Sequence, residues 1–207
     1  CENVRLANMT LINGYSESHG CSGGGGLLIT ANDRTNLDQE DRRPNHAVIE
    51  NLIIEDNYSY NGGGLSFFRV TGSTVTNVTV NNNVAKMMGG GVFAHASSDI
   101  TMTNMIVSNN SMLQGFGGGG IAFAFSGGIL TDISIENNSS VEMGGGMWAN
   151  NSPELSITGV SFSGNTAAQN GGGWASHAVD AGFTNCAFNE NIANVSIANG
   201  QQFGGGA

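Results

Sequence analysis

Two short sequence signals recur along this chain at a nearly constant period, and they restrict it to a repetitive fold. The first is a glycine cluster followed by a large apolar residue, and the clusters end at Gly26, Gly64, Gly91, Gly120, Gly146, Gly173 and Gly206. The second is an apolar residue three positions before Asn57, Asn83, Asn110, Asn138, Asn165 and Asn191, with Gly14 in the first unit. Most intervals in both series span 26 to 29 residues. Self-similarity at this period is typical of a solenoid.

Alignment of the repeats predicts short strands joined by bends. One apolar column contains Leu11, Ile54, Val80, Val107, Ile135, Phe162 and Phe188, and a second lies two residues earlier in each repeat. Period-2 alternation indicates a strand with one buried face. A third apolar column lies an odd step earlier, so the chain must bend in between, at Asn8, Asn51, Asn77, Asn104, Asp132, Gly159 and Asn185. Asn, Asp and Gly tolerate left-handed dihedral angles, and stacked asparagine side chains can form hydrogen bonds between layers.

These columns predict an all-β fold, a right-handed parallel β-helix of about seven coils with ~27 residues per coil. We interpret residues 1–207 as a single domain. The glycine clusters lack the following Lys-Ser/Thr of a phosphate-binding loop and the Asp of calcium-binding nonapeptide repeats. We therefore expect the glycines to allow close approach of adjacent coils, and the apolar residue after each cluster to begin the next inward strand.

Two copies of the repeat are the most regular, Phe162 to Asn165 with Gly171 to Trp174, and Phe188 to Asn191 with Gly204 to Ala207. This pattern resembles the repeats of chlamydial polymorphic outer-membrane proteins and of related autotransporter-like β-helix passengers. Weaker matches extend the resemblance over most of residues 47–207. The resemblance implies an extracellular adhesive stalk without an active site.

Charge and composition exclude several classes of partner. Only 11% of the residues are charged, the net charge is −10, and Lys86 is the single lysine. These values argue against binding to nucleic acid and to anionic membrane surfaces. The longest apolar tract is interrupted by glycine and too short to span a bilayer, so we expect no membrane insertion. The chain shows no initiator Met or signal peptide, and we expect a mature or trimmed piece of a secreted, extracellular or cell-surface product.

The cysteines and one polar segment add further expectations. Cys1 and Cys21 flank the first coil and predict a disulfide, the alternative being that Cys1 carries a lipid anchor. Cys186 lies in an inward column and predicts a buried thiol. Residues 31–46 interrupt the period and predict a protruding polar loop, either simply solvated or contacting a partner; a divalent-metal site there is a weaker alternative.

The sequence contains no convincing catalytic constellation, and we predict no cofactor and no metal. A polysaccharide lyase or hydrolase on such a fold would need converging acids and bases. Lys86 and Arg69 are isolated. His95 and His177 occupy equivalent positions three coils apart, which is too far for one acid–base pair, so we expect surface histidines. Asp99 and Asp180 are separated similarly.

Two surface features remain. An outward column contains Thr76, Thr103, Thr131, Thr158 and Thr184. A second column contains Thr74, Thr101, Ile129, Ser156 and Gly182, so its threonines are replaced along the chain. These columns leave an ice-binding protein as an alternative. Asn-x-Ser/Thr sequences also occur, and the candidates for glycosylation outside the turn columns are Asn109, Asn137, Asn150 and Asn194.

We see no capping helix at either end of the predicted solenoid, and open ends expose backbone edges and core. Either flanking sequence is missing, or the ends stack on other copies head to tail. The function that we predict is therefore a non-enzymatic extracellular structural protein whose copies assemble head to tail into a surface fibre or stalk. An adhesin or glycan-binding passenger that contacts glycans or a host surface is the principal alternative.

Overall fold

The computed structural model describes residues 3–17, 23–30 and 46–194, which form 23 β-strands and no helix. All strand pairs are parallel, and the strands form three sheets that run along a common axis. The predicted Cys1–Cys21 disulfide and residues 31–45 of the predicted polar loop lie outside the described residues. His46, the last residue assigned to that loop, instead begins a strand.

Each turn of the chain contributes to the three sheets in the same order. Sheet 1 contains β1 (Asn3–Ile12), β4 (His46–Glu55), β7 (Thr74–Thr76), β8 (Thr79–Asn81), β11 (Ile100–Ser108), β14 (Gly128–Glu136), β17 (Leu155–Thr158), β18 (Ser161–Ser163), β21 (Ala181–Thr184) and β22 (Ala187–Asn189). Sheet 2 contains β2 (Tyr15–Ser16), β5 (Tyr58–Asn61), β9 (Val84–Met88), β12 (Ser111–Met112), β15 (Ser139–Ser140), β19 (Thr166–Ala167) and β23 (Ile192–Ala193). Sheet 3 contains β3 (Leu27–Thr30), β6 (Leu65–Phe68), β10 (Val92–His95), β13 (Ile121–Ala124), β16 (Met147–Asn150) and β20 (Trp174–His177).

The strand register confirms the predicted parallel β-helix and its period. Equivalent positions in sheet 1 pair in the series Val48, Thr74, Thr101, Ile129, Ser156 and Gly182, with steps of 26, 27, 28, 27 and 26 residues. The number of regular turns is about five, and the prediction of seven was too high. The step before Val48, from Arg5, is 43 residues long, and the last turn has no strand in sheet 3 among the described residues.

A bend divides sheet 1 in every turn, where one asparagine column lies. Asn8, Asn51, Asn77, Asn104, Asp132 and Asn185 all have φ between 52° and 57°, and Gly159 has φ 66°. The exposed amide of Asn51 donates to Asn8 Oδ1, that of Asn77 to Asn51 Oδ1 and that of Asn104 to Asn77 Oδ1, at 3.1, 3.1 and 2.6 Å. Left-handed residues with short polar side chains therefore make the bend that the odd spacing of the apolar columns requires.

The core lies inside the three sheets and consists of stacked apolar columns. The apolar column that contains Ile54, Val80, Val107, Ile135 and Phe162 is fully buried. The strands of sheet 3 begin at the residue after each glycine cluster, as predicted. Phe162 and Phe188 stack with their ring centroids 4.6 Å apart, so aromatic residues at equivalent positions continue the column. Cys186 packs against this core, but it is only partly buried, and its thiol donates to the Ile157 carbonyl at 3.4 Å.

A second, smaller apolar cluster lies on the outer face of sheet 3. Phe93 and Trp148 point away from the main core and are nonetheless buried, packed against the partly buried side chains of Met88 and Met143. Strand sequences that are apolar at every position, such as Ile-Ala-Phe-Ala in β13, reflect this burial on both faces. The repeat columns alone did not predict this second layer.

The glycine clusters let the backbones of adjacent turns pack directly against each other. The first glycine of several clusters has positive φ, as in Gly62 and Gly89. A Cβ atom at the middle glycine of a cluster would lie too close to the next turn. At Gly63 it would be 2.2 Å from the Gly90 carbonyl oxygen, and at Gly90 it would be 2.2 Å from the Gly119 carbonyl oxygen. A side chain is therefore excluded by the neighbouring backbone, in agreement with the predicted geometric role.

Two columns of buried polar side chains run parallel to the core. Asn57, Asn83, Asn110, Asn138 and Asn165 are buried, and each side-chain oxygen from Asn83 to Asn191 accepts from both the backbone N–H and the side-chain amide of the preceding asparagine. A serine column at Ser97, Ser126 and Ser152 accepts backbone N–H groups of the preceding turn in the same way. These side chains satisfy backbone groups at the bends, where no strand partner is available.

Candidate functional site

The isolated titratable residues do not converge on a reaction centre. The register of sheet 3 aligns His95, Ala124, Asn150 and His177, so the two histidines lie three turns apart, as their spacing predicts. Lys86 lies over the ring of Tyr60, and Arg69 lies over the ring of Phe68, each on its own part of the surface. Within residues 3–17, 23–30 and 46–194, no group of three or more His, Cys, Asp or Glu side chains is arranged to hold a metal ion.

His95 differs from the surface histidine that the sequence predicts, whereas His177 is exposed. The imidazole of His95 is half-buried between aromatic rings, with centroid distances of 5.5 Å to Phe68 and 5.9 Å to Phe125. Its Nδ1 atom is buried and has no hydrogen-bond partner in the described part of the chain. Burial, followed by the positive charge of Arg69, lowers the pKa of His95 below its usual 6.5.

The lowered pKa of His95 predicts a loss of stability in mild acid. The unfolded chain takes up this proton near pH 6.5, whereas the folded chain resists it until the pH falls to the lower folded pKa. The free energy of unfolding should therefore fall as the pH drops through that window, and His95→Phe should flatten this dependence. Urea unfolding at about pH 7.5 and about pH 5 measures it, with His177→Phe as the control that keeps His95. Equal pH slopes for wild type and His95→Phe would contradict the prediction.

A groove of about 420 Å³ opens where the chain passes from sheet 3 back to sheet 1. Its walls come from three successive turns: Asp99 and Thr101 from the first, Phe125 and Ile129 from the second, and Glu154 from the third. The volume lies within the range of ordinary small-ligand sites. This groove is the candidate functional site.

The two carboxylates of the groove occupy one structural column. Because Ile100, Gly128 and Leu155 are in register, the preceding residues Asp99, Gly127 and Glu154 are also equivalent. Asp99 and Glu154 are therefore two turns apart, roughly 10 Å between backbone positions at ~4.8 Å per turn. The sequence suggests Asp180 as the equivalent of Asp99, and Glu154 was missed, although each of the three carboxylates directly precedes an inward residue of sheet 1.

Two glycines lie between these carboxylates. Gly127 and Gly128 line the groove in the middle turn, and Gly128 is in register with the buried residues Ile100 and Leu155. A Cβ atom at Gly127 would lie 2.8 Å from the Pro153 carbonyl oxygen, and one at Gly128 would lie 2.5 Å from the Ile100 carbonyl oxygen. The depression is therefore fixed by backbone packing.

Phe125 stands at the edge of the groove in an unfavourable backbone conformation. Its φ is 52°, and 55% of its surface is exposed. All described residues of this column have positive φ, and they are Arg69, Ala96, Phe125, Asn151 and Ala178. A bulky residue with positive φ is rare and costs of order 1–3 kcal/mol. Phe125 is thus both strained and solvent-exposed, a combination that core packing does not explain.

The predicted glycosylation candidates are placed on several parts of the surface. Asn109, Asn137 and Asn194 are exposed, and Asn109 Nδ2 donates to Asn81 Oδ1 at 2.9 Å. Asn150 is half-buried, and its Oδ1 accepts from Asn151 Nδ2 at 3.3 Å. Glycosylation at these positions stays a prediction.

The threonine column stands in register on the outer face of sheet 1. It contains Thr76, Thr103, Thr131, Thr158 and Thr184. The companion column contains Thr74 and Thr101, and is then interrupted by Ile129 and Gly182. Paired threonines are therefore confined to two turns, too short an array to favour an ice-binding surface.

The described part of the solenoid ends in an open edge. The last described strands of the three sheets, β20, β21, β22 and β23, each pair on one side only within residues 3–17, 23–30 and 46–194. Phe183, an inward residue of β21, is 41% exposed and contacts Trp174 edge to face at 5.0 Å. At the other end, β1 likewise pairs only with β4 among these residues, and Met9 is 39% exposed.

Comparisons with known proteins do not add to these observations. No family model, curated protein or solved structure matches the chain. The described residues include no helix that is long and apolar enough to cross a membrane.

Proposed function

We propose that this protein is a non-enzymatic structural protein of the extracellular space or the cell surface, and that its copies stack head to tail through the ends of the solenoid. The observation that supports the proposal most directly is the open edge of the last described turn, where strand edges and the inward side chain of Phe183 face outward together. Unpaired strand edges and exposed core favour association with another chain.

The two ends of the described solenoid are complementary in chemistry. Stacking of β1 of one copy on β21 and β22 of another would continue the inward columns, with Leu6 beside Phe183 and Leu11 beside Phe188. A contact of this kind uses two different surfaces, so it generates an open filament.

The proposed junction is weaker than the contacts between turns within one chain. Asn191 ends the buried asparagine ladder, and its equivalent in the first turn is Gly14, which has no side-chain acceptor. The ladder therefore does not continue from one copy to the next. A net charge of −10 also opposes association. We expect assembly that is reversible on dilution and strengthened by added salt.

Assembly is tested by light scattering and by electron microscopy over a range of concentrations. We expect rods that lengthen with protein concentration, and we expect Phe183→Asp to shift them to single copies, because stacking would bury an unpaired charge. Phe116→Asp is the matched control, since Phe116 is 57% exposed but lies in the connection between β12 and β13, away from either end. Circular dichroism verifies that both variants keep the sheet content. Single copies at every concentration, or equal rods from wild type and Phe183→Asp, would contradict the proposal.

A further inference from the structure

The groove between sheet 3 and sheet 1 is independent of the ends of the solenoid, and its composition indicates a ligand. We propose that it binds a neutral saccharide, with Phe125 packing against a sugar ring and with Asp99 and Glu154 accepting hydrogen bonds from hydroxyl groups. No catalytic step is part of this proposal.

The shape of the groove fits a ring-sized ligand. The turns on either side of the middle turn supply the acidic edges, Asp99 and Glu154, and the glycine pair of the middle turn lies between them. Gly127 N–H donates to the Ser97 carbonyl at 3.0 Å and Gly128 N–H to the Glu154 carbonyl at 3.3 Å, so the backbone of the depression is held by both neighbouring turns in the free protein. A preformed site binds without the cost of ordering a loop.

The lining of the groove combines apolar walls with hydrogen-bond acceptors. Phe125 and Ile129 are 55% and 50% exposed and contribute an aromatic and an aliphatic surface. Asp99 and Glu154 are exposed carboxylates, each able to accept several hydrogen bonds. A pyranose has an apolar face of C–H groups and a rim of hydroxyl donors, which match these two kinds of surface.

Charge separates a neutral saccharide from other hydroxylated or ring-containing ligands. The carboxylates and the net charge of −10 repel uronic acids, sulfated sugars and nucleotides. An ammonium ion is attracted by the carboxylates and can also lie over the Phe125 ring, so cationic oligosaccharides are included in the test below. A neutral saccharide uses the carboxylates as acceptors and contacts Phe125 and Ile129 through its C–H groups.

The strain at Phe125 supports the same assignment. In this column the backbone is left-handed in every turn, and asparagine, present at Asn151, is the side chain best suited to it. Phenylalanine at this position destabilises the fold relative to asparagine. Arg69, Ala96 and Ala178 share this conformation, so what distinguishes the groove is that Phe125 combines it with an exposed aromatic side chain.

The geometry favours binding over hydrolysis. A glycosidase needs one carboxylic acid kept protonated near neutral pH by burial or by a nearby negative charge. Asp99 and Glu154 are both exposed, and their backbone positions lie two turns apart with Gly127 between them. Neither carboxylate therefore has the burial that such an acid requires.

The test uses an array of neutral, anionic and cationic oligosaccharides, followed by calorimetry with the neutral oligosaccharide that binds best. We expect Phe125→Asn to raise the midpoint of thermal unfolding and yet to weaken binding by ~10-fold or more, since it removes the stacking surface and relieves the strained φ. Asp99→Asn and Glu154→Gln should each weaken binding by ~10-fold, because hydrogen bonds to a charged group are among the stronger ones.

Matched controls separate the groove from general surface effects. Phe116→Asn removes an equally exposed aromatic residue elsewhere, and Glu190→Gln removes an exposed carboxylate of the last described turn, so both should leave affinity unchanged. Absence of binding to all neutral oligosaccharides overturns the proposal. Binding confined to anionic or cationic oligosaccharides also overturns it, as does binding that Phe125→Asn leaves unchanged. Rods and single copies can both be assayed, so failure here is distinguishable from failure of end-to-end assembly.

Discussion

Gly119→Ala is expected to lower the free energy of unfolding by more than about 3 kcal/mol, a larger effect than an added methyl group has in a deformable core. A Cβ atom at Gly119 would lie 2.4 Å from the carbonyl oxygens of both Gly145 and Ser139. Both neighbours are backbone atoms, and neither can move aside by rotating a side chain. The turns must therefore separate at this point.

Separation of the turns would break hydrogen bonds between successive glycine clusters. Gly119 donates its N–H to the Gly144 carbonyl at 3.0 Å, and its carbonyl accepts from Gly91 N–H at 3.2 Å. The neighbouring bonds from Gly118 and Gly120 belong to the same ladder. Because each turn is stabilised by its neighbours, the damage extends to the turns on both sides.

Gly182→Ala is the matched control for this prediction. Gly182 also lies in a strand of the repeat, but no heavy atom lies within 4 Å of the position that a Cβ atom would take there. Its substitution should change the free energy of unfolding by less than about 0.5 kcal/mol, or stabilise slightly, since alanine loses less backbone entropy. Urea unfolding followed by circular dichroism measures both variants. If Gly119→Ala stayed within about 1 kcal/mol of wild type, the steric role of the glycine column would be wrong.

The fold could be predicted from sequence because the same residue types return at the same structural positions. The interval from Asn57 to Asn83 is 26 residues, and the register from Ile54 to Val80 reproduces it. Each apolar column was therefore visible before any contact was known. The number of regular turns was overestimated because the first repeat is longer and the last has no sheet 3 strand among the described residues, and both still carry the sequence signals.

The candidate groove could not be predicted because it depends on sequence differences between turns. Asp99, Gly127 and Glu154 share one column, and only their alternation creates a depression with acidic edges. Alignment of the repeats identifies columns of similar residues and does not reveal positions that differ from turn to turn. The outer cluster of Phe93 and Trp148 was missed for a related reason, since the Met88 and Met143 side chains that cover it come from irregular connections.

Asn110→Ala is expected to lower the free energy of unfolding by about 3 kcal/mol or more, since Asn110 lies fully buried in the middle of the polar ladder. Its Oδ1 accepts the Asn83 backbone N–H at 2.9 Å, and its Nδ2 donates to the Val80 carbonyl at 3.0 Å. Alanine removes both of these partners, and it also removes the acceptor of Asn83 Nδ2 and one donor to Asn138 Oδ1. A buried N–H without a partner costs about 1–3 kcal/mol, and the lost carbonyl contact and the cavity add to it.

The exposed asparagine column provides the control, because it has the same spacing without the burial. Asn104 also bonds to its equivalent in the preceding turn, but water can replace that hydrogen bond after Asn104→Ala. We expect a loss of about 1 kcal/mol there, mostly from the positive φ of 52°. Chemical unfolding of the two variants side by side gives the comparison. Equal losses would mean that the buried hydrogen bonds of Asn110 contribute no more to stability than the exposed asparagine column does. A clear excess for Asn110→Ala would show that satisfying the buried N–H groups between turns is what makes asparagine necessary at this position.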